Sequence, residues 1–187
     1  MGSPLSERAK MLRGDLYLAG DPELVAARVR ARRLWARYNE TDPADLSARA
    51  ALLRELLGSV DETVAIEPPF YCDYGTQISI GANVFVNFGA VFLDPAPITI
   101  GDQAQLGPRV QLLTADHPRE ALARLAGPEL GRPIVVGARS WLGGGVIVCP
   151  GVTIGADTVV GAGSVVVRDL PPGVVAAGNP CRVIRSL

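Results

Sequence analysis

The sequence predicts a mainly β fold, a left-handed parallel β-helix of hexapeptide repeats with a small N-terminal helical region and one extruded loop. A large apolar residue recurs every six positions over most of the stretch from Ile78 to Val166. A small or β-branched residue usually stands two positions before it, and a glycine often follows it. Repeats of this kind are a sequence signature of parallel β-helices, so these observations together predict the fold.

The repeat indicates a triangular prism in which three hexapeptides complete one coil and each large apolar side chain points inward. Such a coil buries its apolar face only against its neighbours, so several coils must stack. Buried strands of an ordinary sheet are the alternative, which twelve apolar positions in phase disfavour. We expect the glycines, for example Gly81 and Gly107, to supply the positive φ that a tight corner needs. The twelve positions are Ile80, Val86, Phe92, Ile100, Leu106, Leu112, Val136, Leu142, Val148, Ile154, Val160 and Val166.

Two breaks in the repeat indicate departures from a regular prism. Between Phe92 and Ile100 the phase slips by two residues around Pro95 and Pro97, which predicts a bulged corner. The second break, at residues 114–132, is polar and helix-prone. We interpret it as a loop extruded from one corner, and loops on rigid scaffolds are where function concentrates.

Capping and termination signals indicate that residues 1–58 form a small helical region. An N-cap residue precedes a proline at the first helical position in Ser3-Pro4, Asp21-Pro22 and Asp42-Pro43. Gly14 and Gly58 stand where the first and third helices should end. Apolar residues recur at helical spacing at Leu24, Ala27, Ala31, Leu34 and Tyr38, and again at Leu46, Leu53 and Leu57. The predicted organisation is a helical region at 1–58 and a β-helix domain at 59–187, with the extruded loop at 114–132 and a C-terminal tail.

Composition narrows the class of protein. The chain has 187 residues and a net charge of −1, so no basic surplus is available to neutralise nucleic-acid phosphates. It has no apolar run of about 20 residues that could span a bilayer, and no signal peptide is recognisable. Cys72, Cys149 and Cys181 have no motif spacing and predict reduced thiols. We expect a cytoplasmic protein with neither nucleic acid nor membrane as a partner.

The only histidine of the chain, His117, lies at the root of the predicted loop. Histidine is the side chain whose ordinary pKa suits proton removal near neutral pH. A surface or structural histidine is the alternative, but the position at the one large break in the repeat favours a catalytic role. One histidine is too few for the zinc site of a γ-type carbonic anhydrase, so no metal is expected. Neither a P-loop nor a GxSxG nucleophile elbow occurs.

Several longer stretches together point to one family. They are ERAKMLRGDLY, EPPFYCDYG, NVFVNFGAVFLD, TADHP, WLGGGVIVCPGVTIG and GAGSVVVRDLPPGVVAAGNPCRVIR. With these stretches the chain resembles the maltose/galactoside O-acetyltransferase family of hexapeptide-repeat acyltransferases over essentially its whole length. The resemblance implies an acetyl-CoA-dependent O-acetyltransferase that moves an acetyl group to a hydroxyl of a maltose- or glucose-like sugar.

The resemblance also assigns catalytic residues. His117 matches the histidine of the family's T-x-x-H-P motif, the general base that takes the proton from the acceptor hydroxyl during direct transfer. Asn87 matches the asparagine of the N-F motif, which holds the acceptor or stabilises the developing oxyanion with an uncharged donor. Asn87 has a simpler alternative, because an asparagine after the apolar position can replace glycine as a corner residue in the αL conformation.

Four further residues match positions at the acceptor site of the family. Arg28 and Asp73 match positions that touch the acceptor pocket, and Glu129 contacts the acceptor or orients the catalytic base. Solvated side chains are the alternative for Arg28 and Glu129, and a capping role is the alternative for Asp73. Phe85 stands where some relatives have a tyrosine, which implies that one hydroxyl contact to the sugar is missing. Pro95 stands where galactoside enzymes have an aspartate, which disfavours a galactoside acceptor.

On the acetyl-CoA side the resemblance implies mostly backbone contacts. Trp141 is expected near the thioester, while Gly144 and Ala162 offer backbone groups to the pantetheine arm. A planar, bidentate guanidinium suits phosphate. Positions that neutralise the 3′-phosphate and the pyrophosphate are matched by Arg168, Arg182 and Arg185. Family members are trimers with active sites between neighbouring prisms, so a homotrimer is expected.

Two other functions stay open at this point. A xenobiotic acetyltransferase, or an acetyltransferase of a polysaccharide or oligosaccharide, belongs to the same superfamily and would differ mainly in the loop and the helical region. A non-catalytic β-helix scaffold is the alternative from another class. The T-x-x-H-P motif and the three C-terminal arginines argue against it, since a scaffold needs neither.

Overall fold

A computed structural model of the protein describes residues 5–187. Its helices in this range are α1 (Glu7–Arg13), α2 (Pro22–Asn39), α3 (Leu46–Leu56) and α4 (Ala121–Leu125). Its strands there are β1 (Tyr17–Leu18), β2 (Ser59–Val60), β3 (Ala65–Ile66), β4 (Phe70–Cys72), β5 (Ile78–Ile80), β6 (Phe85–Val86), β7 (Ala90–Leu93), β8 (Ile98–Ile100), β9 (Gln105–Leu106), β10 (Gln111–Leu113), β11 (Ala115–Asp116), β12 (Pro128–Gly131), β13 (Ile134–Val136), β14 (Trp141–Leu142), β15 (Ile147–Val148), β16 (Thr153–Ile154), β17 (Val159–Val160), β18 (Val165–Val166), β19 (Val174–Gly178) and β20 (Cys181–Ser186). Across the same residues, no helix combines the length and the apolarity that a membrane crossing requires.

Parallel strands stack into three faces of a prism, and the chain visits the faces in turn. The first face contains β2, β5, β8, β13 and β16, and the third contains β4, β7, β10, β15 and β18. The second face contains β3, β6, β9, β14, β17 and β19, with β20 antiparallel at its end. The predicted parallel β-helix is therefore confirmed. It starts one coil before the recognisable repeat, because β2 pairs in register with β5.

The large apolar residues of the repeat point into the prism and stack along it. All twelve are at most 3% exposed. On the first face, Ile80, Ile100, Val136 and Ile154 are in register from coil to coil. Burying one such side chain fully is worth about 1.5–3 kcal/mol, so this stack is the main source of stability in the prism.

The glycines after the large apolar residues do not have positive φ, so that prediction is wrong. Positive φ falls two residues later, for example at Asn83 (56°) and Arg139 (57°). The glycines are needed for close approach instead, since a Cβ on Gly137 would lie 2.3 Å from the backbone nitrogen of Ala156 in the next coil. The same crowding, with a backbone nitrogen at 2.3–2.6 Å, recurs at Gly101, Gly107, Gly143 and Gly155. At Gly81 the nearest atom is a side-chain oxygen of Asp102 at 2.2 Å, and the backbone nitrogen lies at 3.0 Å.

The two breaks in the repeat lie one above the other at the same corner. The two additional residues of the shorter break fall within residues 94–97, between β7 and β8. The longer break contains β11, α4 and β12, so the extruded loop has secondary structure of its own. Buried Thr114 joins the two breaks, since its hydroxyl donates to Leu93 O at 2.8 Å and accepts from the Ala96 amide at 3.0 Å.

The first two helices start with side-chain caps. Asp21 caps α2 and Pro22 occupies its first position, as predicted. The Ser3-Pro4 pair lies outside the described residues, and α1 begins after its N-cap Ser6. Gly14 ends α1 in the αL conformation with φ 75°, also as predicted.

The third helix starts later than the sequence predicts. A turn closed by a hydrogen bond from the Asp45 amide to Asp42 O at 3.0 Å contains Pro43. Asp45 is therefore the N-cap, and α3 begins at Leu46, whose side chain is exposed rather than packed. The helix ends two residues before Gly58, in agreement with the predicted stop.

The helical region packs onto the first coils of the prism. Leu34 and Leu53 belong to the same continuous apolar core as the interior of the β-helix. Asn39 joins α2 to β4, since its side chain donates to Phe70 O at 3.0 Å and accepts from the Phe70 amide at 2.8 Å. The Tyr38 hydroxyl donates to a backbone carbonyl of β3. The helices therefore have a fixed position relative to the prism.

We predict that Gly137→Ala destabilises the protein by about 1–3 kcal/mol, the usual cost of overpacking, because the added methyl meets backbone atoms of the next coil. Gly20→Ala is the matched control, since a Cβ there has no neighbour within 4 Å. Chemical denaturation of both variants measures the free energy of unfolding. Equal stability of the two variants would contradict the close-approach explanation.

Candidate active site

Corners of successive coils stack into edges of the prism, and two edges carry half of the candidate residues. The edge after the third face, here named the loop edge, comprises residues 73–77, 94–97 and 114–133. The edge after the second face, here named the glycine edge, comprises residues 87–89, 107–110, 143–146 and 161–164. Because the interior of the prism is close-packed, side chains on an edge keep fixed relative positions.

His117 lies on the loop edge, directly after β11. Its backbone amide donates to Asp116 Oδ1 at 2.9 Å, and Asp116 Oδ2 lies 3.6 Å from Nε of Arg132 at the other root of the loop. The imidazole is 51% exposed, and its Nε2 lies 4.0 Å from Oε2 of Glu129. These contacts hold the backbone of His117 and leave half of its imidazole exposed to solvent.

Glu129 is held against the N-terminal region by a strand pair that the sequence does not predict. β12 pairs with β11 on one side and antiparallel with β1 on the other, which sets Tyr17 opposite Glu129. The Tyr17 side chain is 1% exposed, and its hydroxyl donates to Oε1 of Glu129. Burial, reinforced by the Glu129 carboxylate, raises the pKa of Tyr17, so the phenol remains a donor. Glu129 is therefore not a solvated side chain.

Arg28 and Asp73 face the same edge. One guanidinium nitrogen of Arg28 donates to the Tyr74 hydroxyl and the other to a backbone carbonyl, both at 2.6 Å, so Arg28 is not solvated either. Burial raises the pKa of the Asp73 carboxyl, while Arg28 opposes this change and Glu129 adds to it. One polar region on the loop edge therefore contains Arg28, Asp73, Glu129 and His117.

Sequence reasoning misses Asp94, which organises this region from inside the corner. Its carboxylate is fully buried and accepts the backbone amides of Asp73 at 3.1 Å, Tyr74 at 2.8 Å and Gln77 at 3.3 Å. Burial raises the pKa of Asp94 to about 7, although the amide donors lower it. The sequence does contain a signal for this residue. Asp94 is an acidic residue in an otherwise apolar repeat, and it stands at the point where the phase of the repeat slips.

Three of the residues predicted for acetyl-CoA share a groove with Asn87 along the glycine edge. A groove of about 430 Å³ is lined by Asn87, Trp141, Gly144 and Ala162. The Trp141 ring is exposed and forms an apolar wall. Glycines in the groove let a ligand approach the backbone closely. The groove therefore fits a long, narrow arm such as pantetheine.

Asn87 is not a corner residue in the αL conformation, so that alternative is wrong. The residues with positive φ include its neighbour Gly89, at 77°, but not Asn87. The side-chain oxygen of Asn87 accepts from the Phe88 amide at 2.8 Å. This hydrogen bond leaves the side-chain nitrogen as the group that can donate to a ligand.

Phe85 and two of the three arginines lie on the second face. Phe85 is exposed and stands in one row with Gln105 and Trp141, and it offers no hydroxyl. β20, which carries Arg182 and Arg185, extends the same face. The third arginine, Arg168, follows β18 of the third face and is not on this row. Within residues 5–187, no carboxylate forms an ion pair with any of the three arginines.

His117 and Asn87 do not face each other within one chain. They lie on different edges, separated by the width of the third face, which is on the order of 15 Å for about five extended residues. The chain therefore has two separate polar regions, one with the imidazole and one with the amide and the groove.

Two family descriptions match the chain. The maltose acetyltransferase hexapeptide capping motif matches residues 10–61, which contain most of the helical region and the first strand of the prism. The bacterial transferase hexapeptide family, with six repeats, matches residues 133–168. The matched segments therefore include both the helical region and the coils that form much of the groove.

Known relatives match over the whole chain. The galactoside O-acetyltransferase of Escherichia coli (strain K12) is 39% identical over 187 residues, which cover 100% of this chain and 91% of the relative. The crystal structure of a maltose O-acetyltransferase from Clostridium difficile 630 matches with a TM-score of 0.97 at 45% identity, covering 99% of both chains. A hexapeptide-repeat acetyltransferase from Vibrio cholerae O1 biovar eltor, complexed with acetyl coenzyme A, matches with a TM-score of 0.91 at 42% identity, covering 98% of this chain and 99% of that one.

The prism, the groove and these relatives define an acetyl-CoA-dependent acetyltransferase of the hexapeptide-repeat class. Within that class, the chain belongs to the maltose/galactoside O-acetyltransferase family, as the resemblance in its sequence implies. The alternative of a non-catalytic scaffold is thereby excluded.

We predict that Asp94→Asn makes the protein less sensitive to rising pH. Folding raises the pKa of Asp94 from 3.8 to about 7, so the native state holds this proton more tightly than the unfolded chain does. The stability contributed by this group is therefore present below about pH 4 and is lost as pH rises towards about 7. Asparagine cannot ionise, so the unfolding free energy of the wild type minus that of the variant should fall over this range.

Asp61→Asn is a control of opposite sign. Hydrogen bonds from Thr63 hold the pKa of this exposed carboxyl below its ordinary value, so its contribution is lost as pH falls. Denaturation curves of the three proteins at several pH values supply the comparison. If the unfolding free energy of the wild type minus that of Asp94→Asn stays constant or rises with pH, the pKa of Asp94 is not raised by folding.

Proposed function

We propose that the protein is an O-acetyltransferase that moves the acetyl group of acetyl-CoA directly to a hydroxyl of a maltose- or glucose-like sugar. The observation that carries this proposal is an open imidazole on the loop edge, with Nε2 of His117 4.0 Å from the Glu129 carboxylate. An acceptor with several hydroxyls needs several donors and acceptors around it. The surrounding region offers them from Arg28, Asp73, Tyr74 and Glu129.

In this proposal His117 takes the proton from the acceptor hydroxyl as the hydroxyl oxygen attacks the thioester carbonyl. The carbonyl oxygen becomes an oxyanion, and the side-chain nitrogen of Asn87 stabilises it as an uncharged donor. Collapse of the tetrahedral intermediate breaks the carbon–sulfur bond, and the imidazolium returns its proton to the departing sulfur of CoA. The Glu129 carboxylate stabilises the imidazolium in the interval.

Direct transfer needs the two edges at one place, so we propose a homotrimer in which the loop edge of one prism meets the glycine edge of its neighbour. A head-to-tail contact of this kind closes on itself under threefold symmetry. Exposed apolar side chains at both edges support such a contact. They are Leu122 and Leu125 at the tip of the loop and Phe88 beside Asn87.

The groove and the C-terminal arginines support a binding mode for acetyl-CoA. The pantetheine arm lies along the glycine edge, past Trp141, Gly144 and Ala162. Arg182 and Arg185 then neutralise its phosphates from the far end of the second face, where they have no carboxylate partner among the described residues. Arg168 belongs to the same proposal, although it approaches from the third face.

The position of His117 also favours a second acceptor class, hydroxyls of longer saccharides. An imidazole that is half exposed on an edge leaves room for a chain that extends beyond one or two sugar rings. Release of CoA measured with maltose, glucose, a galactoside and short chitin oligomers distinguishes the classes.

We propose a cytoplasmic location, because Cys72, Cys149 and Cys181 are free and reduced thiols are typical of that compartment.

We predict that His117→Ala lowers the rate of acetyl transfer by about 10²–10⁴-fold, the usual contribution of a general base. The assay follows the CoA thiol released in the presence of the best acceptor from the panel. Arg119→Ala is the matched control, since Arg119 is an exposed residue of the same loop. A folded His117→Ala protein that keeps most of its turnover would remove His117 from the role of base.

We predict that two inactive variants complement each other in mixed trimers. If His117 comes from one subunit and Asn87 from its neighbour, refolding equal amounts of the H117A and N87A proteins restores one intact site in each mixed trimer. Random mixing under threefold symmetry then gives about a quarter of the wild-type activity. No activity above that of the separate variants means that the site does not form between subunits.

A further inference from the structure

We propose that Tyr17 is a positioning residue of the active site, which holds the Glu129 carboxylate in the orientation that faces His117. The inference rests on the proposed role of His117 as general base. It concerns a residue that lies in the N-terminal region, 112 positions from the carboxylate it contacts.

The two carboxylate oxygens of Glu129 point to different partners. Oε1 accepts the hydrogen bond from the Tyr17 hydroxyl, and Oε2 lies 4.0 Å from Nε2 of His117. A glutamate side chain has many rotamers, and most of them are lost when the carboxylate is held by a fixed donor. The hydrogen bond from Tyr17 therefore selects the rotamer that faces the imidazole.

Tyr17 can act in this way because it is itself immobile. Its backbone belongs to β1, which pairs with β12 so that Tyr17 lies opposite Glu129. Its ring is buried in a small apolar cluster with Met11, Leu24 and Tyr74. A buried donor that cannot turn away gives the carboxylate one stable position.

The orientation matters at the moment when His117 takes up the proton. The imidazolium carries a positive charge, and its attraction to a carboxylate weakens with distance and with exposure to solvent. A Glu129 side chain free to rotate would spend much of its time farther from the imidazolium. Tyr17 therefore contributes to the chemical step and not to binding of acetyl-CoA.

The first experiment compares two tyrosines that differ in location. Tyr17→Phe removes the hydroxyl from Glu129, and we expect kcat to fall about tenfold, as for loss of a hydrogen bond to a charged group, with KM for acetyl-CoA unchanged. Tyr38→Phe is the matched control, because it removes a buried hydroxyl that donates to Ile66 O away from the site. Unchanged kcat in Tyr17→Phe would overturn the proposal.

A double-mutant cycle tests whether Tyr17 acts through Glu129. In a Glu129→Gln background, we expect Tyr17→Phe to lower kcat by no more than about twofold, since the carboxylate is already absent. The same tenfold loss with and without the Glu129 carboxylate would mean that Tyr17 affects kcat only by supporting the fold.

p-Aminophenylalanine at position 17 keeps an N–H donor, and we expect it to recover most of the activity. A Tyr17→Phe protein that does not fold, or a p-aminophenylalanine protein as slow as Tyr17→Phe, counts against the proposal.

A measurement that needs no activity separates this inference from the proposed function. His117 is the only histidine, so its imidazole gives one set of NMR signals. We expect Tyr17→Phe and Glu129→Gln to shift these signals in the same direction, and Tyr38→Phe to leave them in place. Turnover retained by His117→Ala overturns the general-base role, whereas signals unmoved in Tyr17→Phe overturn the positioning role alone.

Discussion

The distance between adjacent coils determines the rest of the structure. Parallel strands in the faces lie about 4.8 Å apart, and at the corners the backbones come so close that a Cβ on Gly137 or Gly155 would lie 2.3 Å from a backbone nitrogen. Interior side chains stack at the same interval along each face, and three faces per coil place one large apolar residue every six positions. A prism built in this way has little freedom to bend or shift.

The polar region that contains His117 lies where this regularity is relaxed. The third-face corner admits two additional residues near Asp94 and then the whole loop that carries His117. The side chains of buried Thr114 and Asp94 join these irregular segments to one another and to β7 through hydrogen bonds with backbone groups. The loop edge is therefore irregular in sequence but fixed in position, as a catalytic group requires.

Much of the scaffold could be predicted because its determinants are local and periodic. Residues within a few positions are enough to recognise each of these features: the interior residues, the α2 cap at Asp21 and the break containing His117. The turn at Asp42 and the crowding at Gly137 could not be predicted, since each depends on which backbone lies nearby. The contact between Tyr17 and Glu129 joins strands far apart in the chain, and neither residue belongs to the hexapeptide pattern.

The pairing of β1 with β12 also bears on the order of folding. Neighbouring coils join residues about one coil apart, such as Ile80 and Ile100, so the prism can grow by successive local steps. The contact between Tyr17 and Glu129 spans 112 positions and carries a larger loop-closure entropy until the intervening coils have shortened the path. A chain emerging from the ribosome can therefore complete several coils before its N-terminal strand finds its partner. The loop that carries His117 therefore gains its contact with the N-terminal strand only after the first coils have formed.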